Sequence, residues 1–246
     1  VVGDVDHQEV FMLAEKYFGS LVAEMVPVVR RVGDPVQLGK KRIKIKAPAK
    51  EPYLLMAYKW TAISHASEAW EPYALEMLSS VLDSGASSRI SRNLVRGSHV
   101  AASAGASYSA FSRLPGMLLL DGIPARGHAV EELEQAILAQ VQQLRDEPVL
   151  ESELESIRNQ LIAAKVYEKD SISVQARQIG SLETVGWRLM DEYVTHLTEI
   201  TPEQIQAVAR KYLIPENLTV AQLEPLPLDS RQHRLPINGN HIHARQ

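Results

Sequence analysis

The segment from His65 to Ala69 has the residue types and spacing that come closest to a catalytic zinc site. In the inverted zinc motif H-x-x-E-H, two histidines on one helical face bind the metal and the glutamate acts as the base. His65 and Glu68 are present here, but alanine stands where the second histidine is needed. One imidazole is too few ligands for a catalytic zinc ion. Because the segment also precedes Pro72, we expect an exposed polar loop without metal.

The other histidines offer weaker candidates for metal binding. His241 and His243 are two residues apart and could hold a metal adventitiously, but they lie in a polar terminal stretch that nothing pre-organises. His7, His128 and His196 are isolated in the sequence, and we expect each to be a surface residue. The residues alone therefore predict no complete catalytic constellation.

Composition excludes several classes of function. The chain has 246 residues, and 45% are hydrophobic, which is enough for a sizeable core. With 26 Lys and Arg against 30 Asp and Glu, the net charge of -4 argues against a nucleic-acid-binding protein. No apolar stretch approaches the roughly 18 residues of a membrane span. The absence of cysteine excludes disulfides and thiolate-bound metal, and it is compatible with either cytoplasm or periplasm.

Hydrophobic periodicity predicts an α+β fold. Alternation and apolar runs predict a half-buried strand at 42–47, a central strand at 53–60 and further strands at 99–110, 117–123 and 218–223. Amphipathic stripes and capping residues predict helices that begin near Asp6, Pro72, Leu133, Leu154 and Thr201, a short helical segment at 88–95, and a break near Asp170 and Ser171. This order favours a mostly antiparallel sheet with helices packed on one face.

The ends of the sequence suggest a piece of a longer protein. Residues 1–5 have the composition of the end of a buried strand whose partners would lie upstream. We therefore expect residues 1–19 to be the last strand and helix of a first half, and 20–40 to be a linker. Residues 41–226 would form a second domain and 227–246 a disordered tail. The stretch at 215–220 also ends a unit with a strand, which suggests a tandem duplication.

Several short motifs, in this order along the chain, resemble the insulinase/pitrilysin family of zinc metallopeptidases. Each motif is common by itself, but the order and spacing are specific and extend from Val1 to about Pro225. The motifs are VGDVD at 2–6, AEKYFG at 14–19, the leucines of 75–82 followed by GASSRI at 85–90, ELE at 153–155 with Leu161, TPE at 201–203 and PENLTV at 215–220.

This resemblance implies two similar α+β halves that enclose a peptide chamber, with the zinc ligands in the first half. The present chain would supply the second copy of the tandem fold, and the zinc site would lie upstream of Val1. The counterpart of the zinc helix would then begin at Tyr73, so that Tyr73 and Met77 stand where the two histidines would be. Glu76 is retained, and without ligands beside it we expect it to be a solvated helix residue. The resemblance thus implies no metal in this part of the protein.

A second departure from the family concerns an Arg and a Tyr seven residues apart, which in active second halves hold the substrate and stabilise the oxyanion. Aligned on Leu94, these positions are Val95 and Ala102, and neither side chain can donate a hydrogen bond. Arg96 is one position away and would face a different side of a helix, because each residue turns a helix by about 100°. We therefore expect no substrate-binding or catalytic residue in this chain.

Together these expectations define a non-catalytic C-terminal domain of a bacterial zinc peptidase that closes the peptide chamber and docks a partner. The partners would be the N-terminal half, a peptide substrate, and a second subunit of the same family or a second copy of the chain. The alternatives are an inactive family member that serves only assembly, and an unrelated α+β binding module. The family favours the periplasm over the cytoplasm.

Overall fold

The computed structural model describes residues 1–25, 35–63, 65–168, 170–183 and 189–228. The helices are α1 (His7–Phe18), α2 (Glu71–Leu82), α3 (Val130–Asp146), α4 (Glu151–Glu168), α5 (Ile172–Leu182), α6 (Leu189–Glu199) and α7 (Pro202–Tyr212), with a short π-helix (Ser91–Val95) and a 3-10 turn (Pro215–Asn217). The strands are β1 (Lys41–Pro48), β2 (Tyr53–Lys59), β3 (Ala101–Ser107), β4 (Met117–Pro124) and β5 (Leu218–Leu226).

The five strands form one sheet in the order β1-β5-β2-β4-β3. Strand β1 runs parallel to β5, and the other three pairings are antiparallel. The predicted α+β class and mostly antiparallel sheet are therefore confirmed. Strand β2 lies in the centre, as its apolar sequence on both faces predicts.

One face of the sheet forms the hydrophobic core together with the helices. Along β2 every second side chain is buried, and register places Met56 beside Leu120 of β4 and Val220 of β5. Helices α2 and α3 lie over this face, and α7 contacts both of them. Because successive residues of a strand point to opposite faces, the intervening side chains form a second face, which we call the open face.

Local signals set the helix boundaries that the sequence predicts. Thr201 accepts a hydrogen bond from the backbone N–H of Gln204, whose side chain accepts one from the backbone N–H of Thr201, so a complete capping box begins α7. Ser171 caps α5 through the N–H of Val174, which accounts for the predicted break after α4. Asp6 caps α1, which ends before Gly19.

The predicted half-burial of residues 42–47 is wrong. Strand β1 is an edge strand whose side chains are exposed except at Ala47, and Ile43 and Ile45 are 48% and 49% exposed. On its helix side the strand carries charged residues rather than apolar ones, among them Arg42, which pairs with Glu134 of α3. On its other side no described element covers the isoleucines. The alternation correctly predicts a strand, but the burial of its side chains depends on which elements lie over it.

Residues 1–5 adopt no strand, and Val1 and Val5 are exposed. A strand needs a hydrogen-bonded neighbour, so the assignment of this segment to a first-half sheet stays a prediction. Of the predicted linker, residues 26–34 lie outside the described residues, and so do residues 229–246 of the predicted tail. No helix in the described parts of the chain is long and apolar enough to span a membrane.

Candidate functional site

Helix α2 carries the positions that the resemblance aligns with zinc ligands. Its apolar faces are held against the sheet and against α4, α6 and α7. Tyr73 is only 2% exposed and Met77 is fully buried, so both side chains belong to the hydrophobic core. The described residues contain no group of three or more His, Cys, Asp and Glu side chains that could hold a metal ion. This face of α2 contributes packing, and its side chains are not arranged as ligands.

Glu76 is not the solvated residue that the sequence predicts. Its Oε1 accepts a hydrogen bond from the Tyr193 hydroxyl of α6, and its Oε2 is buried without a hydrogen-bond partner among the described residues. Part of the residue's surface stays accessible, but the carboxyl group itself is enclosed. Burial raises the pKa of Glu76, and the Tyr193 hydrogen bond and the charge of Lys165 only partly oppose this rise. The sequence could not show this, because Tyr193 is 117 residues away.

Aromatic rings surround the Glu76–Tyr193 pair. The Tyr193 ring centroid lies 6.1 Å from that of Tyr73 and 5.5 Å from that of Phe111. His196, one turn further along α6, packs against Tyr73, and the two ring centroids are 4.8 Å apart. Burial and the neighbouring carboxylate raise the pKa of Tyr193, so its hydroxyl remains a proton donor to Glu76. The arrangement joins α2 to α6.

Lys165 of α4 places its ammonium group over the Tyr193 ring. Its Nζ lies 4.8 Å from the Tyr193 ring centroid, within cation–π range, and 2.8 Å from Glu168 Oε2. The Lys165 ammonium group therefore contacts both the Tyr193 ring and the Glu168 carboxylate. It acts on Glu76 through its charge, which lowers the Glu76 pKa without a direct hydrogen bond. None of these groups is paired as nucleophile and base, so the arrangement supports packing rather than catalysis.

The two positions aligned with the family Arg and Tyr offer no side-chain donor. Val95 ends the π-helix and packs partly against the core, and Ala102 is exposed on the edge strand β3. Arg96 donates from Nη2 to the backbone oxygen of Ala86. Its own N–H bonds to Ser91 O, five residues back, as in a π-helix. Arg96 is therefore used to hold the preceding turn.

The remaining predicted residues do not assemble into a site. His65 and Glu68 are exposed in the loop before α2, as predicted. His128 Nδ1 lies 2.6 Å from Glu132 Oε2 on α3, and His7 contacts the ring of Phe11 on α1. His241 and His243 lie outside the described residues. The fold and these positions together define an α+β domain whose described residues form no complete catalytic or metal-binding site.

Comparisons with known proteins identify the family. A sequence profile described as the peptidase M16 inactive domain matches residues 1–161. The chain therefore belongs to the M16 peptidases, which confirms the insulinase/pitrilysin resemblance. No curated protein matches the sequence.

Solved structures share the fold at low sequence identity. A protease from Helicobacter pylori is 23% identical with a TM-score of 0.82, over 91% of this chain and 54% of that one. A peptidase M16 inactive domain from Pseudomonas fluorescens is 14% identical with a TM-score of 0.73, over 91% and 52%. The periplasmic protease PqqL from Escherichia coli is 17% identical with a TM-score of 0.64, over 91% and 25%. The chain thus spans about half the length of the first two proteins.

Proposed function

We propose that this chain is the non-catalytic C-terminal half of a zinc metallopeptidase and closes a peptide-binding chamber over a zinc-bearing half. The observation that carries the proposal is the open face of the sheet. Across this face, Ala221 of β5 lies between Ile43 of β1 and Leu55 of β2. Next to them, Ile45 of β1 pairs with Leu223 of β5. These residues form a broad apolar surface that no described helix covers. Contiguous exposed apolar surface of this kind is typical of an interface.

Helix α1 supports the same proposal independently. Its Asp6 cap and its apolar stripe define an amphipathic helix, yet none of its residues is buried and Phe11 is 69% exposed. Tyr17 and Phe18 are likewise exposed. Since most helical stability in proteins comes from packing an apolar face, α1 needs a partner outside the described residues. A first half that ends with residues 1–19 would supply it, with residues 20–40 as the linker and 41–226 as the second domain.

The side chains on α2 indicate which half would carry the zinc chemistry. Because Tyr73 and Met77 are core residues and Glu76 is enclosed, we assign zinc and the general base to the other half. There a zinc-bound hydroxide would attack the peptide carbonyl. The substrate would be a peptide held between the halves. A second family subunit, or a second copy of this chain, would dock to complete the site, and the periplasm is the proposed compartment.

A structural, proteolytically inactive role is the second candidate, and Val95 and Ala102 favour it. A half without an oxyanion-stabilising pair contributes no side-chain donor to peptide hydrolysis at these positions. If the other half also lacks H-x-x-E-H, assembly is the remaining role. Reading the coding sequence upstream of Val1 separates the two candidates directly.

The experiment uses the 246-residue chain alone and together with its separately expressed upstream half. We expect no zinc-dependent peptide cleavage by the chain alone and stable association of the two halves. Ile45→Asp should weaken association about tenfold or more by placing a charge in an apolar interface, whereas Leu150→Asp, at an exposed leucine outside the sheet, should not. Zinc-dependent cleavage by the chain alone would overturn the assignment of chemistry, and equal association of both variants would overturn the interface.

A further inference from the structure

A cavity of about 390 Å³ opens between the second half of α3, the start of β5 and the residue that precedes β1. Its lining includes Lys40, Tyr58, Leu138, Arg145, Leu213 and Leu218. This volume lies within the range of small-molecule sites. The cavity is lined by neither the Glu76 cluster nor the apolar residues of the open face, so neither proposed role accounts for it.

The hydroxyl of Tyr58 is the first sign of a ligand. Tyr58 is 2% exposed and lines the cavity, but its hydroxyl makes no hydrogen bond with any described residue. The Tyr58 oxygen is not one of the enclosed unpaired atoms of the described residues, so the hydroxyl opens to the cavity. Burial of the ring raises the pKa of Tyr58 to about 12, so the phenol stays protonated and able to donate. The hydroxyl can therefore donate to an acceptor that enters the cavity.

Cationic side chains line the same cavity. Arg145 donates from Nη1 to Gln142 Oε1 at 3.1 Å, while its Nε is buried without a partner among the described residues. Lys40 Nζ lies 2.7 Å from Glu134 Oε1 at the edge of the cavity. The described lining residues include no carboxylate.

The nearby carboxylates are already paired. Glu134 accepts two hydrogen bonds from Arg42 in addition to the one from Lys40. Asp146 accepts from the Gln142 amide at 2.8 Å. Since Lys40 and Arg145 line the cavity and no described carboxylate does, positive charge exceeds negative charge among the lining side chains. An entering acceptor is therefore favoured if it is an anion.

The rest of the wall is apolar. Leu138, Val141, Leu213 and Leu218 line it, together with Ala139 and Pro215. We propose that the cavity binds an aliphatic carboxylate, with the Tyr58 hydroxyl and the Arg145 guanidinium donating to the carboxylate and the apolar wall receiving the chain. The planar fork of arginine matches a carboxylate. A free organic acid and the C-terminal carboxylate of a peptide share this chemistry. The inference does not depend on the proposed function.

Calorimetric titration of the 246-residue chain tests the site with N-acetyl-leucine and its amide, N-acetyl-leucinamide. We expect the acid to bind and the amide to bind at least about tenfold more weakly, since only the acid offers a charged acceptor. A tetrapeptide ending in leucine, with a free or an amidated C terminus, separates the sources. Binding of the free-ended peptide identifies a peptide-terminus site, and binding of N-acetyl-leucine without the peptide identifies a small-acid site.

Two substitutions in the cavity and one control substitution keep the test decisive. Arg145→Gln should weaken the binding of N-acetyl-leucine about tenfold or more. Arg126 is an exposed arginine just before the start of α3, and Arg126→Gln should leave the binding unchanged. Tyr58→Phe removes only a hydroxyl without a described partner, so the chain should still fold. It should bind N-acetyl-leucine several-fold more weakly than the wild type does. Equal binding of acid and amide, no binding of either, or full binding by Arg145→Gln would overturn the proposal.

Discussion

Replacing Tyr193 with phenylalanine removes the one described side chain that donates a hydrogen bond to Glu76. The ring and its packing against Tyr73 and Phe111 remain. Glu76 would then have no described hydrogen-bond donor, and its Oε2 is already enclosed without one. We expect the substitution to lower the free energy of unfolding, because an unsatisfied buried polar group costs about 1–3 kcal/mol.

The loss in the free energy of unfolding caused by Tyr193→Phe should grow as the pH rises. Burial raises the pKa of Glu76, so the stability associated with its protonated form is complete below the unfolded-state pKa and is lost as the pH rises through the folded-state pKa. The Tyr193 hydrogen bond favours the charged form and limits that loss. At a low pH, where Glu76 is protonated, we expect a cost of about 0.5–1.5 kcal/mol, as for a hydrogen bond between neutral groups. At a high pH, above the folded-state pKa, we expect about 1.5–3 kcal/mol, as for one to a charged group.

Urea unfolding of the wild type and of Tyr193→Phe at both pH values measures the difference. Tyr167→Phe on α4 is the matched control, because Tyr167 is exposed and its substitution should change stability by less than about 0.5 kcal/mol. In a Glu76→Gln background the pH dependence of Tyr193→Phe should disappear. A cost that stays constant between the two pH values, or one that persists unchanged in that background, would refute the role of Glu76.

Three further predictions concern stability and can be measured by the same unfolding assay. Thr201→Ala should cost about 1 kcal/mol by removing the side-chain cap of α7. Gly122→Ala should cost about 1–3 kcal/mol because its Cβ would lie 2.8 Å from a backbone oxygen, whereas Gly116→Ala enters open space and should be nearly neutral. Burial alone would raise the pKa of Glu134, but hydrogen bonds from Arg42 and Lys40 outweigh it and lower the pKa. Glu134 therefore stabilises the fold above its unfolded-state pKa and this contribution is lost on acidification, so Glu134→Gln should flatten the acid side of the stability profile.

Local chemistry in the sequence was sufficient to predict most of the elements. The capping box at Thr201, the break at Ser171 and the apolar β2 strand each specify a structure through nearby residues, and each is confirmed. Features that depend on distant packing could not be predicted. The exposure of β1 follows from what fails to cover it, and the enclosure of Glu76 follows from α6.

The same distinction explains why the candidate site was only partly predictable. Val95 and Ala102 lack donor groups whatever the fold, so their inability to bind an oxyanion through the side chain can be seen from residue type alone. The cavity beside Tyr58 is different, because it joins α3 to the ends of β2 and β5. No periodicity in the sequence indicates that Arg145 and Tyr58 share one wall.

The burial of α2 bears on how such a domain can remain folded without metal chemistry. A catalytic zinc ion keeps one coordination position open to water, whereas Tyr73 and Met77 are held in the dry interior. One helical face cannot satisfy both demands. Side chains that bury apolar area there contribute about 25 cal/mol per Å² to stability, and the enclosed Glu76 is held by Tyr193 rather than by a metal. In this domain the helix that we align with the zinc helix stabilises the fold itself, and the open face and α1 are the surfaces through which we propose that it contacts the other half.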